Sequence, residues 1–481
     1  MASVNAVNVE HVSDKFLKYT ESDTVHELRL ENIVGARKLE ENVWNVIFVE
    51  ETKGQDEKDA KSTPKLQSLL AKDLNSSFLD VYDIQLAKDN LPPRNDDNSP
   101  NTHVVISTLS GTGLAPSFYH DTLHPFLDLL DINENEDYTV HFTQSASTVS
   151  ELTQNTFLQR ANSGIAQRIT LLSGDGGIVD ILNAMMSTPH SRDYVEPIIS
   201  LLPMGTGNAL AHSSGITADN TTGLSTLARG QPKHLPLFKA IFSLGARLLA
   251  DEGCKHEGLP LYDDGEEGSK PILYGAVVCS WGLHAGLVAD SDTAEYRKYG
   301  IQRFAMAAKE ALYPSDGSTP HKYKARVVLF RKDPNNNSGG TSFEEIPRAE
   351  HSYILATLVS NLEKTFTISP LSAPLEGNLR VVHFGHVDGK EAMRILGLAY
   401  DNGKHVEDAA VGYEDVDSMI VEFQEEDEDG RWRRVCVDGK IVVVEKGGSV
   451  EVKRETGRVL KISCLVQMVI GGKDCGIEEQ L

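Results

Sequence analysis

The sequence predicts an α/β domain over residues 101–218, followed by an antiparallel β-sandwich domain over 219–481, with a β-rich accessory segment and linker at 1–100. Two observations carry this order. From His103 onward, short apolar runs alternate with glycine loops and helical patterns, as a parallel sheet with crossover helices requires. Beyond about residue 270, strand-like runs follow one another without helices between them. Asp438-Gly439 and Gly447-Gly448 are turn candidates among the last of them.

In chain order, residues 25–39 and 43–50 have strand-like composition, a polar stretch occupies 50–62, and a further run lies at 78–86. The segment 91–100, rich in Pro, Asn and Asp, is a linker by composition. The first strand, 103–107, runs into Ser110-Gly111-Thr112-Gly113, and a helical pattern continues through Leu130. A second strand at 138–143 precedes a helix at 147–160. The strand 168–172 enters Ser173-Gly174-Asp175-Gly176-Gly177 and a helix at 178–186. The strand 197–202 enters Pro203-Met204-Gly205-Thr206-Gly207-Asn208. In open α/β sheets such loops gather at the carboxyl ends of the strands, where ligands bind.

Between 237 and 249 the apolar pairs Leu237/Phe238, Ile241/Phe242, Leu244 and Leu248/Leu249 recur at helical spacing, with Lys239 and Arg247 off the stripe. This predicts a helix that packs on the core, or one that lines an acyl-chain pocket or dips into a membrane. Strands are expected at 272–279, 325–330, 353–360, 379–384, 418–423, 435–444 and 450–452. Residues 333–341 read as a mobile loop and 425–429 as a solvated acidic one.

A formal net charge of -24 repels polyphosphate, which excludes nucleic acid as an expected partner and leaves membrane contact to a local patch. Cys254, Cys279, Cys436, Cys464 and Cys475 have no metal-ligand spacing and read as reduced thiols, and the dispersed histidines offer no zinc cluster. The opening Met1-Ala2-Ser3 lacks a secretory signal pattern and the closing Gln480-Leu481 lacks a prenylation box. With no apolar run near the roughly 18 residues of a spanning helix, the expectation is a cytoplasmic protein associated peripherally with membranes.

The chemistry concentrates in the glycine loops. Glycine lets backbone amides approach a phosphate closely, and a following helix adds free N–H groups and a positive dipole end. One such loop is a common turn; three, each after a strand of one α/β unit, point to a nucleotide. Asp175, flanked by Gly174 and Gly176, is a carboxylate among phosphate-binding amides. It suits accepting a proton from an attacking hydroxyl or holding magnesium through water, against the plainer role of an Asx turn or N-cap. Asp180, in the first turns of the helix, is either a dipole-stabilising acid or part of the site. Ser110 and Thr112 either donate to phosphate or cap a helix. Trp44 and Trp432 read as packing residues, and Trp281 as a wall of the cleft. The Walker lysine pattern is absent and the first loop holds no basic residue, so cations for the transferring phosphate must come from elsewhere.

Ser173-Gly174-Asp175-Gly176-Gly177 with Asn183, then Leu202-Pro203-Met204-Gly205-Thr206-Gly207-Asn208-Ala209-Leu210-Ala211, resembles the catalytic domain of diacylglycerol kinases and sphingosine kinases. The resemblance extends over roughly residues 103 to 465. Ser280-Trp281-Gly282, Ala289-Asp290-Ser291-Asp292, Glu295-Tyr296-Arg297 and Gly300-Ile301-Gln302-Arg303-Phe304 are similar to the sphingosine kinase branch, and Ser360-Asn361 and Asp438-Gly439 to later family motifs. The resemblance implies an α/β nucleotide-binding domain related to that of NAD kinase, and a β-sandwich lipid domain with the cleft between them. It implies ATP with Mg2+, a lipid substrate and a peripheral membrane surface. Asp175 matches the general base, Arg297 and Arg303 match arginines on ATP phosphates, and Thr143 matches a nucleotide-contacting threonine. Asp290 or Asp292 matches the acid that binds a sphingoid amine and hydroxyl head. By the same likeness Ser110, Gly111, Thr112, Gly113, Ser173, Gly174, Gly176, Gly177, Gly205, Thr206, Gly207, Asn208, Asp438 and Gly439 fall to the nucleotide, and Trp281 and Asp180 to the substrate.

Departures from the family pattern are specific. Ser107-Thr108 stands where Asn-Pro is usual, Asp180 replaces a glutamate, and Asp438-Gly439-Lys440 replaces Asp-Gly-Glu. Two extra residues among 283–286 leave the register of Asp290 against Asp292 open. The expected activity is phosphorylation of a sphingoid-base hydroxyl. A ceramide or diacylglycerol kinase is the alternative, a non-catalytic lipid-binding homologue a second, and NAD kinase a distant one.

Overall fold

The computed structural model describes residues 7–11, 15–21, 24–50, 63–95, 97–108, 111, 113–262, 268–300, 302–332 and 341–465. Ser110, Thr112, the polar stretch at 51–62, the expected loop at 333–340 and Cys475 lie outside the described residues.

The parallel sheet forms as the alternation predicts. Its spatial order is Lys461–Cys464, Ile198–Pro203, Arg168–Ser173, Thr102–Ile106 and Thr139–Phe142, all parallel. Gln231–His234 adds an antiparallel strand at the Lys461–Cys464 edge. All five residues of Thr102–Ile106 are buried, as expected of a strand covered on both faces. Each helix expected between the strands of this sheet is present: helical turns run from Ala115 to Leu129 and from Thr148 to Asn162, each with a π-turn in its middle. Asp175–Met185 and Ala209–Ser213 follow the second and third glycine loops. Two strands of this sheet come from the range expected to be sandwich. Leu460 and Ile462 pack in one core with Ile199, Leu201 and Ile169, so the end of the described chain returns to the first layer.

The second layer is one large sheet, antiparallel at every pairing, that curls until residues of distant strands share a core. Phe238, Trp281, Val327, Ile354, Val421, Val437 and Val452 meet there. The expected helix at 237–249 is instead two strands, Leu237–Phe242 and Arg247–Ala250. Phe238, Ala240 and Phe242 alternate into the sandwich core, while Leu237 and Ile241 face the core shared with the α/β layer. A strand apolar on both faces shows apolar residues in pairs, which mimics helical spacing. Gly245, at φ +92°, lies in the turn between the strands. No helix is therefore available there to dip into a membrane.

Helices do interrupt the strands beyond 270, against expectation. Leu283–Ser291, Ala294–Arg297, Gln302–Leu312 and Gly389–Ala399 lie among the strands. Leu283, Leu312, Ala392 and Ile395 belong to the core that lies between the layers. The N-terminal segment forms a six-stranded sheet with the short helix Ser76–Tyr82. Val34, Ile47 and Val49 join it to the first layer beside Phe126 and Leu123. The Arg229 guanidinium completes the joint by donating to the carbonyls of Val34 and Val81, both at 2.8 Å.

Candidate active site

The three glycine loops converge at backbone contact. A Cβ on Gly205 would lie 2.5 Å from the Gly174 Cα, and one on Gly111 would lie 2.2 Å from the Met204 carbonyl oxygen. Glycine is required at these positions because other backbone occupies the space of a side chain. Asn208, at φ 54°, folds back so that its side chain accepts from the Gly205 N–H and donates to the Gly205 carbonyl, both at 2.9 Å. This ties the third loop into a fixed ring of amides. Gly177 packs on Ser173, whose hydroxyl accepts from Ser107 at 2.9 Å, while Gly176 and Gly113 face open space. Thr206 and Gly207 are half-buried, and Gly207 lies near the Leu362 carbonyl. Thr143 fastens the first loop: its hydroxyl accepts from the Thr108 N–H at 2.9 Å, and its carbonyl accepts from the Thr108 hydroxyl at 2.8 Å.

Asp175 opens the helix Asp175–Met185 at the centre of this ring. Its oxygens accept from Ala209 N at 2.7 Å and Leu210 N at 3.0 Å, so the helix after the third loop aims the carboxylate of the second. Burial raises its pKa above the usual carboxylate value, against the pull of those amides.

Asp438 reaches the same place from the second layer. It sits in the hairpin turn between Arg434–Val437 and Lys440–Val443, at φ 47°. Its carboxylate accepts from the amides of Ala276, Val277 and Val278, the shortest at 2.6 Å. Burial pushes its pKa up to about 7, the amides oppose the rise, and the nearby charge of Asp175 adds to it. Asp438 is thus a clamp on the 276–278 turn, with Gly439, at φ +91°, as its turn partner. One residue on, Lys440 Nζ meets Asp180 Oδ1 at 2.6 Å. Asn183, further along the same helix, exchanges hydrogen bonds with the backbone of Tyr274 at 2.9 and 3.0 Å. The helix that begins with Asp175 is therefore bonded to the second layer at both Asp180 and Asn183.

The candidate head-group acids and phosphate arginines form two clusters. Asp292 takes a bidentate pair from Arg297, at 3.0 and 2.9 Å, and a third bond from Arg303 at 3.0 Å. Burial would raise its pKa, but the bonds and charges of the two arginines outweigh burial and hold it below the usual range. Asp290 is held by Arg431 at 2.9 Å and Arg434 at 2.8 Å. The strand carrying Arg434 also carries Cys436, whose thiol is pushed up to about 12 by burial, with the charges of Asp438 and Asp292 adding to it. The helix Leu283–Ser291, which leads into Asp292, packs through Ala285 and Val288 on Cys436 and Ile441 of the hairpin that carries Asp438.

Trp281 does not line a cleft. It is 1% exposed, donates to the Trp432 carbonyl at 2.8 Å and packs edge-on against Tyr323 and Phe423, all within the sandwich core. A tryptophan in a strand with both faces covered goes inward by size alone. Trp432 packs as expected, stacked on His321. The partnerships of Lys440 with Asp180, and of Arg431 and Arg434 with Asp290, went unread in the sequence. The paired departures at 180 and 440 were the available signal for the first; the arginines carry none.

A family model for the diacylglycerol kinase catalytic domain matches residues 101–240. Human sphingosine kinase 1 is 23% identical over 367 residues, covering 71% of this chain and 86% of that protein. Mouse sphingosine kinase 1 is 21% identical over 321 residues, covering 63% and 77%. A crystal structure of a diacylglycerol kinase from Bacillus anthracis superposes with a TM-score of 0.45 at 10% identity, over 76% of this chain and 99% of that one. Motif order, the family match over residues 101–240 and the two sphingosine kinase relatives support a lipid kinase of the diacylglycerol kinase superfamily, similar to its sphingosine kinase branch.

Proposed function

We propose that the chain transfers the γ-phosphate of ATP to the hydroxyl of a sphingoid base, giving the 1-phosphate, with Asp175 as general base. The observation that carries this reading is the Asp175 carboxylate, oriented by two amides at the contact point of three glycine loops. The loops offer N–H groups to the nucleotide phosphates. The lipid hydroxyl loses its proton to Asp175 as its oxygen bonds to the γ-phosphorus, and the bond from phosphorus to the ADP oxygen breaks. A pKa raised by burial makes Asp175 a stronger base than an exposed carboxylate.

Arg297 and Arg303 supply positive charge once a phosphate competes for them against Asp292. Among the described residues no group of three or more His, Cys, Asp or Glu side chains gathers to hold a metal. Magnesium carried on the nucleotide phosphates would supply further positive charge there. Among the described residues no helix is long and apolar enough to cross a membrane.

One observation favours a second reading, a substrate with a neutral head such as ceramide or diacylglycerol. Each of Asp290 and Asp292 already carries two guanidinium partners, so a cationic amine must displace an arginine to reach either acid. Phosphate incorporation from labelled ATP into sphingosine, ceramide and diacylglycerol, measured side by side, decides. Preference for sphingosine supports the first reading and preference for a neutral lipid the second. Turnover of none of them sinks both.

A further inference from the structure

Phosphoryl transfer gathers negative charge around the γ-phosphorus, and the protein must place cations there. The first glycine loop has no basic residue, and Arg297 and Arg303 are engaged by Asp292. On the turn that brings Asp438 within the field of Asp175, the next side chain is Lys440. Its ammonium lies against Asp180, on the helix that Asp175 begins. The two side chains are 29% and 20% exposed, so the pair is neither sealed in the core nor free in solvent.

We propose that Lys440 is a phosphate-binding residue of the active site, held by Asp180 while no nucleotide is present and transferred to the γ-phosphate when ATP binds. The inference rests on the reading of Asp175 as the base. Asp175 and Asp180 are five positions apart, roughly 7.5 Å along a helix axis. The two also lie about 140° apart around the axis, so the flexible lysine stem, which reaches about 6 Å, must swing as a whole to carry its ammonium toward the Asp175 end of the helix. Asp180 Oδ1 is a single acceptor at 2.6 Å, whereas a triphosphate offers several charged oxygens to the three ammonium donors. In the transfer step Lys440 stays protonated. The lipid proton goes to Asp175, the new oxygen–phosphorus bond forms, the bond to ADP breaks, and the ammonium offsets the charge passing between them. The plainer alternative is a brace: a partly buried ion pair that only joins the two layers.

The alternatives differ in sign. As a brace, the pair is lost equally from either end. As a reservoir, removing Asp180 frees the cation, whereas removing Lys440 deletes it. The experiment compares Lys440→Met, Lys440→Arg and Asp180→Asn in the full chain, by equilibrium ATP binding without lipid and by steady-state kinetics with the preferred lipid. Thermal melting confirms folding. Lys440→Met is expected to lower kcat about 100-fold and to weaken ATP binding about fivefold, with Lys440→Arg restoring most of both. Asp180→Asn is expected to tighten ATP binding about threefold. Parallel weakening of ATP binding by Lys440→Met and Asp180→Asn, with equal drops in melting temperature, would show a brace and overturn the proposal. So would an unchanged kcat in Lys440→Met. The binding arm needs no lipid, so a chain that phosphorylates none of the lipids offered still reports on Lys440, and the two readings fail separately.

Discussion

At Asp175 a charged group is held where charge is costly, and the geometry shows how. Two helix-start amides orient it, while enclosure raises its pKa. In the proposed role Asp175 acts as carboxylate, so kcat/KM should be present above the folded-state pKa and lost as pH falls through it. Because that pKa is raised, the acid limb of the pH profile should lie above the ordinary value of about 4. A limb at or below that value would remove Asp175 from the role. Asp290 carries a second prediction at this scale. Arg434→Met strips one of its two guanidinium partners and leaves a freer carboxylate. Relative kcat/KM for sphingosine over ceramide should rise about fivefold; an unchanged ratio would separate Asp290 from the head group. Asp175 was legible because glycines on both sides advertise it. The arginines on Asp290 were not, since nothing in a stretch at 431–434 says which distant acid it will meet.

At the scale of elements, the loops meet at backbone contact and are tied by the side chains of Asn208, Thr143 and Asp175. Gly205→Ala places a methyl 2.5 Å from the Gly174 Cα, so the loops must part. ATP affinity should fall more than tenfold, read by equilibrium binding, with a smaller effect from Gly176→Ala, which meets open space. Asp438→Ala leaves the amides of 276–278 without their acceptor and should cost about 3 kcal/mol. A denaturation midpoint unmoved by that change would mean that the clamp bears no strain. Strands flanked by glycine loops were readable because period and turn chemistry agree there. Leu237–Phe242 was misread because its two faces enter two different cores, which erases the alternation that marks a half-buried strand. Leu283–Ser291 was missed because it starts directly from the buried strand Val278–Gly282, and its apolar residues continue that run.

At the scale of the whole molecule, the chain returns to where it began its catalytic layer. Lys461–Cys464 pairs with Ile198–Pro203, so the sandwich is inserted within the sheet that carries the loops. No local pattern in four residues announces such a return, and a boundary drawn from composition places them with the sandwich. Asn183, on the helix that Asp175 opens, is bonded to Tyr274 of the other layer, so the proposed base sits beside the junction of the two layers. The most direct test of that account is transfer of labelled γ-phosphate from ATP to a lipid hydroxyl by the unaltered chain and by Asp175→Asn, matched in melting temperature and ATP affinity. A phospholipid product from the first, and at least a thousandfold slower formation by the second, is the predicted result. Equal rates from both, with ATP bound equally, would contradict it.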